Sequence, residues 1–349
     1  MLNFFVFKLG LFSTLSFVIA WAWTPILYHF LKRYKLGKQI RDEKSAPIFA
    51  KLHKGKAGTP TMGGILIWVT TLAIALGTYY LSLIFPQSIF KDLNFLTRSQ
   101  VWLPLGALVA SAIIGALDDI LNVKKIGPIG GGFRMRHRIL LYTAIACVGA
   151  WWFYFKLGWD ILHVPFFGDF NIGWWYIPFF IFVIVATAFS VNEIDGLDGL
   201  AGGTLLTAFG AFGAIAFIEG KYDIATLCAV IIGALLAFLW FNIYPAKFFM
   251  GDTGAMSLGV TLGIVAMLTN SALLLPVIGF LFVLESLSVI IQVLSRKIRK
   301  KKVFLSAPLH HHLEAIGWKE PTIVMRFWVI SGVLAVAGLI IALMDRGLY

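Results

Sequence analysis

The chain has 349 residues, 59% of them hydrophobic and only 13% charged, with a mean hydropathy of +0.87; a composition this apolar excludes an ordinary water-soluble globule and makes lipid the solvent. Its net charge of +12 would suit a nucleic-acid partner, but the basic residues are gathered in the connections between apolar runs, which argues against that class. Two cysteines, Cys147 and Cys228, lie inside apolar runs with neither a disulfide framework nor metal-ligand spacing, so both are expected to be core packing.

A hydrocarbon core about 30 Å thick is crossed by about 20 apolar residues in a helix. Apolar runs bounded by charge, Gly and Pro predict such helices near 9–31, 62–84, 101–117, 138–156, 174–191, 199–218, 223–242, 254–270, 272–295 and 322–344. The first run, Leu9 to Leu31, is too long for a signal-peptide core and lacks a small-residue cleavage site, so it counts as a span. The expected fold is therefore all-α: one integral membrane domain over residues 1–349, a polytopic bundle of about ten transmembrane helices. With connections alternating sides, 22 of the 29 Lys and Arg fall on one side, the densest groups lying in 32–58 and from Arg296 to Lys319. The positive-inside rule makes that side cytoplasmic and leaves both termini periplasmic. The run Arg296 to Lys302 serves this topology signal and also attracts anionic lipid headgroups.

Polar residues that interrupt the apolar pattern follow in chain order. Gly58-Thr59-Pro60-Thr61-Met62-Gly63-Gly64 opens the second helix, with Thr59 placed to cap it, Pro60 in its first turn, and Lys56 just upstream, where a phosphate could meet the helix N-terminus. The third helix ends at Gly115-Ala116-Leu117-Asp118-Asp119. After the fifth comes Asn192-Glu193-Ile194-Asp195-Gly196-Leu197-Asp198-Gly199, and after the seventh Gly251-Asp252-Thr253-Gly254. Charged groups cost roughly 2.5–3.5 kcal/mol each at a helix centre, so their clustering needs a cause. One Asp pair alone is satisfied by a solvated cap or an ion pair with Lys124 or Lys125; three acidic clusters on one membrane face point instead to a shared divalent cation. Oxygen-only ligands favour Mg²⁺ or Mn²⁺ over zinc. The glycines beside these acids are expected to bend the chain and bring backbone N–H groups toward an anion, although neither a P-loop nor a dinucleotide fingerprint is present. In the last cytoplasmic connection, Ala307-Pro308-Leu309-His310-His311-His312-Leu313-Glu314 places three imidazoles in a row. Consecutive residues cannot share a helix face, so this run alone should not form a three-ligand zinc site; one or two of its histidines are expected to donate to phosphate. Glu285 and Gln292 share a face of the ninth helix, where Gln292 is expected to hydrogen-bond a neighbouring helix.

These motifs together resemble the phospho-N-acetylmuramoyl-pentapeptide transferases, a family within the polyprenyl-phosphate sugar-1-phosphate transferase superfamily. The likeness runs from about Lys32 to Trp328 and is carried by Gly58 to Gly64, Asp118-Asp119, Asn192 with Asp195 to Gly199, Asn242 with Phe249 to Asp252, and Ala307 to Glu314. It implies a bacterial inner-membrane enzyme, a homodimer, that transfers phospho-N-acetylmuramoyl-pentapeptide from UDP to undecaprenyl phosphate with Mg²⁺, releasing UMP. Carried over by position, Asp252 and Asp119 would hold the metal and Asp118 would accept the proton of the lipid phosphate. Lys56, Arg138, His310, His311 and His312 would hold phosphates; Thr61, Asn192, Asp195, Asp198, Asn242 and Phe249 would shape the uridine and pyrophosphate pocket. Arg138 stands where the family has a lysine, and Phe189 where it usually has an asparagine. The Ile194 to Gly203 wording leans toward the N-acetylglucosamine-1-phosphate branch of the superfamily, which is the nearer alternative; a secondary transporter, with acids on broken helices near the bilayer midplane, is the distant one.

Overall fold

A computed structural model describes residues 2–37, 53–127 and 131–347. Lys38, Arg41, Lys44 and Lys51 of the basic second segment lie outside these residues. The long helices are α1 (Leu2–Arg33), α2 (Ile65–Ile84), then after a short α3 (Ile89–Leu93), α4 (Ser99–Val123) and α5 (Met135–Trp151), the last continuing in a π turn to Lys156. There follow α6 (Tyr176–Ile194), α7 (Leu200–Ile218), α8 (Tyr222–Asn242), α9 (Gly251–Leu268), the pair α10 (Leu275–Ile278) and α11 (Phe280–Ile298), the short α12 (Leu309–Ala315) and α13 (Glu320–Asp345). Among the described residues nine helices are long and apolar enough to span a bilayer, and α10 with α11 makes a tenth, bent by 82°. The chain is a multi-pass, all-α membrane bundle.

Three local expectations are corrected. The ninth span is not one helix over 272–295: it breaks at Gly279, where a Cβ would lie 2.9 Å from the Leu275 carbonyl oxygen, with Pro276 in the turn before it. The third helix continues through Val123, so Asp118 and Asp119 occupy its penultimate turn rather than its end. Between α5 and α6, β1 (Ile161–Val164) and β2 (Gly168–Asn171) pair as an antiparallel hairpin, Ile161 opposite Asn171 and Val164 opposite Gly168, which no apolar-run count detects.

Helix α9 is the axis of the bundle. It packs on α4 and α6, while α1 packs on α8, α8 on α7 and α7 on α13. Its small residues permit this: a Cβ at Gly259 would lie 2.8 Å from Ala188 Cα, and one at Gly263 2.9 Å from Ile184 Cδ1. Every residue of α9 is buried except Asp252. The periphery inverts the pattern of a soluble protein. Helix α11 turns Glu285, Ser286, Ser288, Gln292 and Ser295 inward and leaves Ile290, Ile291, Val293 and Leu294 exposed, as a helix bathed in lipid should. Cys228 is buried as expected, but Cys147 is exposed on this outer surface rather than packed in the core.

Candidate active site

The glycine-rich motifs meet at one end of the bundle. Phe249 N–H donates to the Pro60 carbonyl (2.8 Å), Gly63 N–H to Phe249 (2.8 Å) and Gly64 N–H to Met250 (2.8 Å), so the segment before α2 lies alongside the segment before α9. A Cβ at Gly64 would fall 2.3 Å from Gly254 Cα, and one at Gly115 2.3 Å from the Asp252 carbonyl oxygen. These glycines thus let α2, α4 and α9 touch backbone to backbone. Gly251 adopts φ +74° at the start of α9, and a side chain there would meet Asp119 and Thr61.

Asp119, buried by this contact, accepts the Thr253 N–H (3.0 Å) and the Thr61 hydroxyl (3.4 Å). Its neighbour Asp118 is 0% exposed; Oδ1 accepts the Phe133 N–H (2.5 Å) and Oδ2 lies 2.7 Å from Arg138 Nε in an ion pair. Arg138 is the hub. Its Nη2 reaches Asp252 Oδ2 at 2.9 Å and its Nη1 donates to Asn192 Oδ1 at 2.9 Å, while Asn192 Nδ2 donates to Asp252 Oδ1 at 2.5 Å. The planar guanidinium fork serves all three partners at once, each from a different nitrogen. Asp118 therefore pairs with Arg138, not with Lys124 or Lys125. The Arg138 and Asp252 side chains, 18% and 16% exposed, together open this network to solvent.

A second polar group adjoins it. Lys56 Nζ lies 2.6 Å from Asp198 Oδ1 and also pairs with Glu320, and it stands 5.9 Å from the ring centroids of Tyr244 and Phe249. Asp198 Oδ2 accepts the Ala246 N–H (3.0 Å), and the Asp198 N–H donates to Glu320 (2.8 Å). Asn242 acts here as a latch between loops, donating to the Phe248 carbonyl (2.8 Å) and accepting the Gly199 N–H (3.0 Å). Asp195, half-buried, caps the end of α6. Glu320 was not singled out from the sequence, since an acid in the first turn of a helix looks like ordinary dipole compensation; Tyr244 and Thr253 carried no signal.

The three histidines separate. His310 is fully buried against Gly196, where a Cβ would lie 2.1 Å from its Nε2; its N–H donates to Glu285 (3.2 Å), and its Nδ1 lies 3.1 Å from the same carboxylate. His311 Nδ1 lies 2.7 Å from Glu314 Oε2, and His312 Nδ1 accepts the Leu305 N–H (3.3 Å). Burial, with His310 beside it, pushes the His311 imidazole down to about 3. Burial opposes ionisation of Glu314, yet hydrogen bonds with His311 and His53 hold its carboxyl at about 2. Gln292 does not bridge two helices: it holds the following loop, accepting the Val303 (2.9 Å) and Phe304 (3.0 Å) N–H groups and donating to the Phe304 carbonyl (2.9 Å).

The donor set at Asp252 suits a hard cation. Asp118 and Asp252 share a single guanidinium, Asp119 lies against the backbone of Gly251 and Thr253, and every side-chain acceptor offered there is oxygen. Arg138 stands between Asp118 and Asp252, so the acids do not form a closed protein cage; a cation held at one or two carboxylates would keep most of its waters, as Mg²⁺ does.

Residues 101–270 match the family described as "Glycosyl transferase family 4", and residues 56–67 match the "Phospho-N-acetylmuramoyl-pentapeptide-transferase signature 1". Among similar proteins, the phospho-N-acetylmuramoyl-pentapeptide-transferase of Chloroflexus aggregans is 38% identical over 90% of this chain and 84% of its own length. That of Geobacillus sp. (strain WCH70) is 40% identical over 94% and 95%.

The chain belongs to the phospho-N-acetylmuramoyl-pentapeptide-transferase family.

Pelagibacter ubique supplies a further relative of the same name, 37% identical over 97% of this chain. Membership makes the chain a phospho-sugar transferase of the membrane. The signature segment of the family covers Lys56, Thr61 and both glycines docked on Phe249 and Met250, so the match includes the residues that join the two polar groups.

Proposed function

We propose that the protein transfers phospho-N-acetylmuramoyl-pentapeptide from UDP to undecaprenyl phosphate, forming undecaprenyl-diphospho-muramoyl-pentapeptide and UMP, at the cytoplasmic face of the bacterial inner membrane. The observation that carries this reading is Arg138, a fixed cation bound to Asp118, Asn192 and Asp252 where the otherwise buried α9 reaches solvent. The basic connections gather at this end, which supports a cytoplasmic orientation with both termini outside. The transporter alternative draws support from the broken α10–α11 span, but the acids sit on other elements, in the penultimate turn of α4, just past the end of α6 and at the start of α9.

Both substrates are anions, so the protein supplies charge and in-line positioning more than covalent chemistry. A lipid-phosphate oxygen forms a new bond to the sugar-bearing phosphorus as the bond to the UMP oxygen breaks. Arg138 and Lys56 offer their charge to phosphate oxygens, exchanging carboxylate partners for substrate. His311 and His312, with His310 behind them, border the phosphate path. Asn192, Asp195, Asp198, Asn242, Thr61 and Phe249 shape the nucleotide end, Phe249 presenting a ring face beside Lys56. Asp118 Oδ2 takes the proton of a monoprotonated lipid phosphate; a dianionic phosphate attacks without it. Asp252, with Asp119 behind it, would hold Mg²⁺, which when bound would neutralise pyrophosphate charge and stabilise the departing UMP. The lipid tail lies along the apolar outer face beside α11. The chain forms one integral domain and works as a homodimer.

The test is release of UMP by purified protein with undecaprenyl phosphate, comparing UDP-N-acetylmuramoyl-pentapeptide with UDP-N-acetylglucosamine, each with Mg²⁺ or with chelator. The reading requires chelator-sensitive UMP from the muramoyl nucleotide; UMP from the glucosamine nucleotide alone moves the protein to the sister branch, and none from either removes the assignment.

A further inference from the structure

His53, His311 and Glu314 offer ligand atoms that all lie within 4.8 Å of one another. His53 Nε2 is 3.1 Å and His311 Nδ1 2.7 Å from the same carboxylate oxygen, Glu314 Oε2. His53 and Glu314 are buried, and the His311 side chain is only 12% exposed. The two imidazoles stand edge to face, their centroids 5.5 Å apart, so their nitrogens approach the oxygen from different directions instead of stacking. His311 and Glu314 are three residues apart on one face of α12, while His53 comes from 261 residues away, just before the turn Lys54–Lys56.

We propose that His53, His311 and Glu314 form a second metal site, distinct from the Asp252 site, that takes a zinc-type divalent ion and staples the Lys56 segment to α12. The donor chemistry separates the two sites. Two imidazole nitrogens and one carboxylate oxygen are the ligand set of zinc, whereas the all-oxygen group around Asp252 suits a harder ion. The histidine run alone cannot make such a site, because consecutive residues diverge around a helix; recruiting one of its members with a glutamate a turn later and a histidine from the other end of the chain removes that obstacle. On binding, each ring turns a nitrogen lone pair toward the ion and carries its N–H on its other nitrogen.

The location gives the site its purpose. His53 is three residues from Lys56, and Lys56 is ion-paired to Asp198 and Glu320. Glu314 lies in the last turn of α12, six residues before Glu320, which opens α13. An ion between His53 and α12 would fix the spacing of the two chain segments that hold Lys56 over the rings of Tyr244 and Phe249. It is a structural ion, not one that touches substrate.

The experiment uses full-length, tag-free protein in detergent, equilibrated with buffered free Zn²⁺ and analysed for bound metal, then repeated with Co²⁺. About one zinc per chain is expected, with visible cobalt bands of a low-coordinate nitrogen–oxygen site and imidazole scattering in the X-ray absorption spectrum of the wild-type protein. His53→Gln and Glu314→Gln should each lose the ion and the bands, while Asp252→Asn and His312→Gln keep both. Wild-type protein that takes up no zinc, or cobalt without imidazole scattering, overturns the site without recourse to any variant. So does metal lost in Asp252→Asn but kept in His53→Gln. Because metal content is read without turnover, failure here leaves the transferase reading untouched, and failure of that reading leaves this test intact.

Discussion

Asp118 sits in the protein with no exposed surface and one cationic neighbour, Arg138, itself only 18% exposed. Removing one partner of a buried pair leaves the other charge uncompensated, so Arg138→Ala should cost about 3–5 kcal/mol of stability, visible as a lower unfolding temperature in detergent. Arg138→Lys keeps the charge but not the fork that reaches Asn192 and Asp252 together; its loss should appear mainly in UMP turnover, with melting near that of the parent. Asp118→Asn, Asp119→Asn and Asp252→Asn should each lower turnover by about a hundredfold or more while the protein still inserts and purifies; near-normal turnover in all three would remove the proposed site. The acids were legible in the sequence because a carboxylate inside an apolar run is costly and therefore conspicuous. Arg138 was located only through its alignment with a family lysine. Glu320 and His53 were not legible at all: each lies in a polar segment where a charged or titratable side chain is unremarkable, and only the fold shows that Glu320 shares Lys56 with Asp198.

Among the elements, the helices were legible because each needs about 20 apolar residues and the connections are polar. Their irregularities were not. The break at Gly279 and the hairpin at Ile161–Asn171 depend on where neighbouring elements press, which periodicity does not record. The glycine motifs show the same limit, since the close helix contacts that they permit cannot be read from their composition. Gly115→Ala should therefore destabilise the bundle by about 1–3 kcal/mol, because its methyl group would be driven into the Asp252 carbonyl and α4 and α9 would have to part. Gly77→Ala in α2, where a Cβ meets nothing within 4 Å, should be neutral or slightly stabilising. Equal effects of the two substitutions on thermal unfolding would contradict the close contact described between α4 and α9.

Across the whole molecule, the end opposite Arg138 is tied by a titratable clamp. His163 in β1 places Nδ1 2.6 Å from Asp169 and Nε2 2.6 Å from Asp345 at the end of α13, and its N–H donates to Asn270 (3.2 Å); Arg346, paired with Glu219, is the nearby cation. Burial lowers the imidazole, but the two carboxylates outweigh it and raise His163 above its ordinary value. A raised folded value contributes stability that is complete below the unfolded value, near 6.5, and fades as pH climbs through the folded one. Hydrogen-exchange protection of the hairpin should accordingly drop on the alkaline side, and His163→Gln should erase that pH dependence. The burial of α9 has a consequence for how the protein is made. Its most apolar stretch has a hydropathy of only 1.4, against 2.6 for α8, yet it is the most enclosed of the spans. Such a segment gains little from partitioning into lipid by itself. It emerges from the ribosome after α4 and α6, the two walls that it needs, have already been synthesised. Substitutions on those walls would then reduce the amount of enzyme by stranding α9 during insertion, even where the finished molecules work at full rate.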